Sequence, residues 1–299
     1  MKKEDIKLGY ICNNNCDFCI QWEEKRSKYK PKKLDEIKKI LKNEFKKWAL
    51  IVTFTWWEPT LHKTLIQSIE YAKLLWYKNI NIQSNWQTFA DIKYCIKIVK
   101  AWANSFEPSI HWYKPETHDN LVKTPWAWEK VVKWIINLKS LWQIVQINSV
   151  ITKQNYKEAP QLAKLLVKLK VNYFQYAFPH IWWSAKKYSD KIVPTKTEII
   201  PYIHQWLDIA KKWWILARTE AIPFCFMKWY EYAVTEQYLV DSSVFDAEYE
   251  MDSYQTYRLL SWKSKRKECL DCIMNNKCEW PWSEYPDIFW WEEFIPIKN

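Results

Sequence analysis

Cys12-Asn13-Asn14-Asn15-Cys16-Asp17-Phe18-Cys19 lies near the start of the 299-residue chain, directly after an apolar run at 6–11. That run reads as a first strand over about 7–11, so the three thiols occupy the loop at its C-terminal end. Their spacing is C-x3-C-x2-C. A tetrahedral zinc site takes four ligands, and neither a His nor a fourth Cys lies close enough in sequence to complete one. Three thiolates suit a [4Fe–4S] cluster whose fourth iron is open to a ligand that is not protein. A zinc knuckle with a distant fourth ligand, or three unrelated core cysteines, are the competing readings of the triplet alone.

The composition carries an anomaly. One Gly, Gly9, stands against 23 Trp. Average usage of about 7% would give roughly 20 Gly in a chain of this length. The glycine deficit and the tryptophan surplus are thus of similar size. Position points the same way. Trp56-Trp57 precedes Glu58-Pro59 at a strand-to-helix turn, and Trp86 follows Ser84-Asn85 at another. Trp182-Trp183 and Trp213-Trp214 are pairs in a loop and at a helix end. Such turns need positive φ and close backbone approach, which Gly supplies and Trp resists. The reading is that UGA codons meaning Gly in the source were written as Trp. UGA is then expected at Trp56, Trp57, Trp86, Trp182 and Trp183. UGG is expected at Trp128, Trp213, Trp282 and Trp291, where an aromatic fits or a better Gly candidate is adjacent. Several misread Trp should show positive φ or crowd the barrel mouth. A chain truly rich in Trp is the alternative.

A chain of this length can bury one large core, with or without a small appendage. It has no apolar run near the length that spans a bilayer, and Met1-Lys2-Lys3-Glu4-Asp5 is not followed by the apolar segment of a signal peptide. A cytoplasmic protein with no membrane partner is expected. Eight Cys in a reducing compartment read as metal ligands rather than disulfides. The net charge of +11 permits an acidic partner such as RNA. The lysines, however, fall in pieces such as Lys38-Lys39 and Lys46-Lys47 along helix faces, as a solvated surface would have them.

Beyond the Cys loop the chain alternates strand and helix. Helical periodicity at 34–47, 62–75, 89–103, 127–141, 156–169 and 195–212 is interleaved with strands at 49–55, 79–83, 105–111, 143–151 and 171–178. With strand one this makes six βα units and a parallel sheet. The rhythm implies an α/β fold, either an open barrel or a doubly wound sheet. After about residue 222 the periodicity gives way to aromatic and acidic loops holding four of the eight Cys. The expected division is a core barrel of 1–222 and a small Cys-rich C-terminal domain of 223–299.

The triplet, with aromatic Phe18 just before the last Cys, resembles the signature of the radical SAM enzymes. The resemblance selects a partial (β/α)6 TIM-like barrel, and it implies that Cys12, Cys16 and Cys19 hold a [4Fe–4S] cluster whose open iron binds S-adenosylmethionine. It also implies an external one-electron reductant, flavodoxin- or ferredoxin-like, that drives cleavage of the cofactor to a 5′-deoxyadenosyl radical. One βα unit later, Thr53-Phe54-Thr55-Trp56-Trp57-Glu58-Pro59-Thr60 is similar to the family's GGEP motif once two Trp are restored to Gly. This implies that Trp56, Trp57, Glu58 and Pro59 form the turn that contacts the cofactor's methionyl amino group. An ordinary strand-helix turn with Pro near the first helical position is the plain alternative. Ser84-Asn85-Trp86 resembles the family's S-N-G stretch, whose polar side chains meet the ribose. Hydroxyl and amide groups suit a diol because each both donates and accepts. By the same analogy, Asn148 and Ser149 reach the cofactor's carboxylate or ribose, and the loop at 178–183 lies beside the adenine. Ser109-Ile110-His111-Trp112 and His118-Asp119 resemble segments of members that carry C-terminal cluster domains. His111 then either lines the substrate side or is a hydrogen-bonded core histidine, while His118 and Asp119 hold the loop.

Cys269-Leu270-Asp271-Cys272 and Cys278-Glu279-Trp280 resemble the C-terminal motif of SPASM and Twitch domains. With Cys225 as a fourth ligand, they imply a second, auxiliary [4Fe–4S] cluster. The short stretch around the motif fits a single-cluster Twitch-like region. Four thiolates suit structural zinc equally well. Cys95 is left over and reads as a small buried hydrophobe. Families with such extensions often modify peptides or proteins, so the first reading of the resemblance is a peptide or protein substrate. RNA or a small metabolite is the second reading, and a zinc-stabilised binding protein without enzyme activity is the third. No catalytic acid or base stands out.

Overall fold

The computed structural model describes residues 2–20, 25–55, 57–85 and 90–298. Its frame is a nine-stranded sheet in the order β7-β6-β5-β4-β3-β2-β1-β8-β9. The first seven strands are β1 (Lys2–Lys7), β2 (Ala49–Thr55), β3 (Asn79–Ser84), β4 (Ser105–Pro108), β5 (Ile144–Val150), β6 (Tyr173–Ala177) and β7 (Leu216–Glu220). Each pairs in parallel with the next in chain order. The connecting helices are α1 (Leu34–Lys46), α2 (Leu65–Leu74), α3 (Ile92–Lys100), α4 (Pro115–Val122), α5 (Ala127–Ser140), α6 (Ala159–Lys168) and α7 (Lys196–Lys212). This is the expected α/β, partial TIM-like barrel.

The strands have two faces because successive side chains point to opposite sides. Ile6, Phe54, Ile80, Ile82, Phe106, Val145, Ile147 and Phe174 are buried in the hydrophobic core shared with the helices. The alternate positions, facing the barrel interior, are Lys3, Asp5, Thr53, Asn81, Glu107, Gln146, Asn148, Gln175 and Glu220. Helix ends follow local chemistry. On α1, Ile37, Ile40, Leu41 and Glu44 form the buried stripe. α7 opens on a capping box in which Thr195 and Glu198 each satisfy the other's backbone N–H.

The structure corrects several boundaries. β1 lies at Lys2–Lys7 rather than at 7–11. Its interior-facing residues are charged, so it lacks the apolar run by which a buried strand is recognised. β7, with sequence LARTE, was hidden for the same reason. α4 occupies the stretch between the strand expected at 105–111 and the helix expected at 127–141, to which the sequence assigns no element. After residue 222 the chain returns to the sheet: β8 (Ser242–Phe245) pairs in parallel with β1, and β9 (Glu250–Met251) pairs antiparallel with β8. A buried ion pair between Lys7 and Asp246 at 2.7 Å fastens this return, and Tyr10 donates to the same carboxylate. α8 (Tyr254–Ser261) follows. Among the described residues, no helix is long and apolar enough to cross a membrane.

Fourteen non-glycine residues among those described have positive φ, and eleven of them are Trp. Trp48, Trp76, Trp102, Trp142 and Trp214 directly follow the C-caps of α1, α2, α3, α5 and α7. In four of these the next residue donates back five positions, as in Tyr77 N–H to the Ala72 carbonyl at 3.2 Å and Ile215 N–H to the Ala210 carbonyl at 3.0 Å. That is the Schellman ending, whose left-handed residue is ordinarily Gly. Trp214 is 96% exposed, so no packing of its ring offsets the strain.

Candidate active site

The Cys loop leaves β1 at its C-terminal end and is clamped by its neighbours. The N–H groups of Asn15 and Asp17 donate to the carbonyls of Val122 and Leu121, at 3.0 and 3.1 Å, at the end of α4. Thr124 donates its hydroxyl to Asn14 Oδ1 at 3.0 Å, and Lys123 pairs with Asp17 at 2.9 Å. From the other side, Glu58 N–H donates to the Ile11 carbonyl at 3.2 Å. These ties gather the three thiols. The Cys16 thiol is pushed well up by burial and then by its neighbours Cys19 and Cys12. Cys12 Sγ accepts from Asn14 N–H and from Asn85 Nδ2, both at 3.3 Å.

Phe18 packs its ring edge-on to His111, with centroids 4.6 Å apart. His111 is a core support: its Nδ1 accepts from Val150 N–H at 3.2 Å, and its own N–H donates to His118 Nδ1 at 3.1 Å. Burial holds both imidazoles below their usual range, His118 at about 3, so both are neutral. Asp119 accepts the N–H groups of Trp126 and Trp128 and so organises the start of α5.

Glu58 joins the two strand-end motifs. It is buried and accepts from Thr60 N–H at 2.9 Å, Ser84 Oγ at 2.5 Å and Asn85 N–H at 2.7 Å. Burial raises its carboxyl above the ordinary value, against the pull of those three donors. Pro59 opens the short turn Pro59–Leu61, for which Glu58 is the cap. Trp57 has φ 44° and lies edge-on to Tyr10 at 6.1 Å. Trp56 and Trp86 lie outside the described residues. Glu58, Ser84 and Asn85 therefore meet beside Cys12. Asn148 sits on β5 in register with Gln175, and its buried Oδ1 has no hydrogen-bond partner among the described residues. Ser149 is buried and donates its hydroxyl to the Ile110 carbonyl.

The other four thiols converge as well. Cys225 lies in the turn Phe224–Phe226 after β7, 44 residues before Cys269. It lines one pocket with Cys269, Cys272 and Cys278, walled by Phe224, Met274 and Phe294. Burial, and then the Cys278, Cys269 and Cys272 thiols, push the Cys225 thiol up to about 12. Trp280 N–H and Ile297 N–H donate to Cys278 Sγ and Cys272 Sγ, each at 3.4 Å. Among the described residues no group of three or more His, Cys, Asp or Glu side chains is arranged to hold a single metal ion. A cubane binds each thiolate to a different iron and spans more widely than a lone ion. Cys95 is fully buried, its thiol raised to about 12 by burial. A larger surface hollow of about 680 Å³, lined by Leu207, Lys211, Trp214 and Tyr232, is walled by none of these Cys, and part of it is the left-handed Trp214.

Sequence reasoning missed the charged seam between barrel and C-terminal segment. Arg258 on α8 is 1% exposed and contacts Glu220, at the end of β7, and Glu279, next to Cys278. Lys263 donates to the Trp280 carbonyl at 3.2 Å and lies 3.8 Å from Glu236. Only the adjacency of Glu279 to Cys278 signals this in sequence.

The sequence profile of the Radical SAM superfamily matches residues 6–166. Probable GTP 3′,8-cyclases of Saccharolobus islandicus are 26% identical over 170 residues, 56% of this chain and 53% of theirs. The chain thus spans about half the length of these curated relatives. Streptococcus suis SuiB bound to S-adenosylmethionine shares the fold at a TM-score of 0.68 and 15% identity, over 93% of this chain and 72% of SuiB. Native anSMEcpe with bound AdoMet does so at 0.69 and 13% identity, over 93% and 88%. With a profile match that covers more than half its length and takes in the Cys12–Cys19 loop and the Glu58 turn, the chain belongs to the radical SAM superfamily.

Proposed function

We propose that the chain cleaves S-adenosylmethionine reductively at a [4Fe–4S] cluster held by Cys12, Cys16 and Cys19, and directs the product radical at a C–H bond of a peptide or protein. Superfamily membership implies the cluster and the cofactor. The residues present fit them: three thiols on one clamped loop form an open donor set. The observation that carries the reading is this convergence beside the Glu58-anchored end of β3. When bound, cluster and cofactor supply a 5′-deoxyadenosyl radical, which needs an external one-electron reductant. The chain's own residues place and seal. Asn14 and Asn85 donate to Cys12, Glu58 fixes the strand end, and Phe18 on His111 closes the floor of the loop. Exclusion of water protects the reactive species.

Two observations support a peptide over a nucleotide. SuiB is known bound to the precursor peptide SuiA, and anSMEcpe with AdoMet and the Kp18Cys peptide, at TM-scores of 0.66 and 0.61. In and around the barrel, Lys3 already pairs with Asp5 at 3.1 Å, Lys7 with Asp246, and Arg258 with Glu220 and Glu279, while Arg218 on β7 stacks on Tyr238. Cations engaged in this way are poorly placed for a triphosphate. We read Cys225, Cys269, Cys272 and Cys278 as holders of an auxiliary [4Fe–4S] cluster in a Twitch-like region of 223–299. We also read the left-handed Trp as glycine positions, Trp57 at the cofactor turn included; eleven in that conformation support misread codons.

The test is anaerobic reconstitution. The reduced protein should release 5′-deoxyadenosine and methionine, and the variant with Cys12, Cys16 and Cys19 all changed to Ala should release none. That variant should keep about four irons per chain at the C-terminal thiols. Undiminished cleavage by the triple variant would refute the assignment, and one zinc with no iron would remove the auxiliary cluster.

A further inference from the structure

We infer that Asn85 is an N–H···S donor that sets the reduction potential of the cluster held by the Cys triplet, with Glu58 as the positioning residue behind it. The inference rests on the reading that Cys12, Cys16 and Cys19 hold that cluster. The family resemblance directs Asn85 to a ribose, whereas the structure turns it to sulfur. Its Nδ2 lies 3.3 Å from Cys12 Sγ and 2.8 Å from Asn13 Oδ1. The opposite amide orientation would set Oδ1 against a sulfur that must become a thiolate, so the donor assignment follows from the network.

The side chain is not free to wander. Asn85 N–H donates to Glu58 Oε2 at 2.7 Å, and the preceding Ser84 donates its hydroxyl to Glu58 Oε1 at 2.5 Å. Glu58 is itself 3% exposed and tied to the Cys loop through its N–H to Ile11. A buried carboxylate thus fixes the backbone from which the amide reaches Cys12. Of the two donors to this sulfur among the described residues, Asn14 N–H belongs to the backbone and survives any substitution, whereas the Asn85 amide is removable.

Adding an electron to a [4Fe–4S] cluster increases the negative charge on its sulfurs. A donor to a thiolate therefore stabilises the reduced form more than the oxidised form and raises the potential. Loss of the Asn85 donor should make the cluster harder to reduce without dislodging it.

The test is an EPR-monitored redox titration of the reconstituted full chain without S-adenosylmethionine, so that a lost cofactor contact cannot imitate the effect. The signal absent from the Cys12/Cys16/Cys19 triple-Ala protein identifies the cluster of interest. In N85A, its reduced-to-oxidised ratio at a fixed potential should fall about tenfold, which is 59 mV for one electron. N85D, which places a carboxylate near the sulfur, should fall at least as far, and E58Q in the same direction by less. Iron content and the second signal should stay at parent values. A change in N85A of less than about threefold would overturn the inference. So would an equal shift of both signals, or loss of the triplet's iron. A parent protein with no iron at the triplet would overturn the cluster reading as well.

Discussion

Replacing Arg258 with Met removes a buried charge while keeping most of the side-chain length, and its cost can be worked from the contacts. The guanidinium bridges Glu220 at 3.7 Å and Glu279, tying the last parallel barrel strand to the segment that bears Cys278. Burial raises both carboxyls, and Arg258, ahead of Lys263, pulls them back down. At about 4 Å and an effective dielectric of about 20, one such pair is worth about 4 kcal/mol. Breaking a buried pair by removing one partner costs about 3–5 kcal/mol, because the remaining charge stays desolvated. Glu220 keeps 24% of its side chain exposed, so water screens part of the loss and the expected cost is about 3 kcal/mol. Urea unfolding followed by far-UV circular dichroism reads this as a lower midpoint. The pH dependence has a definite sign. Carboxyls whose folded pKa lies above the unfolded value take up protons on folding, so stability falls as pH rises through that window. Without Arg258 the window widens, and the deficit of R258M should shrink between about pH 7 and about pH 5. R258M/E279Q, which removes Arg258 and one of its two carboxylates, should be less destabilised than R258M. A loss below about 1 kcal/mol, or a deficit equal at both pH values, would refute the reasoning.

The left-handed Trp predict opposite signs for the same chemical change. Trp142→Gly and Trp214→Gly should each raise stability by roughly 1 kcal/mol by relieving the αL strain. Trp282→Gly should lower it by about 3–5 kcal/mol, since that ring is buried and its Nε1 donates to the Phe178 carbonyl at 3.3 Å. Urea midpoints moving the same way in all three variants would end the sorting of Trp by φ. Asp246 is held at about 2: burial alone would raise its carboxyl, and the ion pair with Lys7 together with hydrogen bonds from Tyr10 and the Glu248 N–H outweighs it. Its folded pKa lies below the unfolded one, so it contributes roughly 2 kcal/mol above about pH 4 that is lost as pH falls towards about 2. D246N should flatten the stability profile across that range, and a slope unchanged from the parent would show that Asp246 is not its source.

Local patterns decided what was legible in the sequence alone. β2 runs over Ala49–Thr55 as its apolar content predicts, and α7 follows Thr195 because a capping box is written in adjacent residues. The Cys12–Cys19 spacing and the Glu58-Pro59 turn needed no partner from elsewhere to be recognised. The glycine deficit was visible as a count, and Trp213 was set apart from Trp214 by position alone; the backbone places the two at φ −104° and 56°. It also leaves Trp182 at −114°, outside the left-handed region. β1 and β7 escaped because a barrel with a polar interior puts Lys3, Asp5 and Glu220 where a buried strand would carry apolar residues. Everything that depends on the chain's return was decided by tertiary structure. β8 pairs with a strand more than two hundred residues earlier, as in Lys3 with Ser242, and nothing local encodes that register. From that return follow the Lys7–Asp246 pair, the seating of Arg258 between Glu220 and Glu279, and the approach of Cys225 to Cys269, Cys272 and Cys278. Hydrophobic period and turn chemistry act over a few residues, whereas these contacts exist only after distant segments have packed.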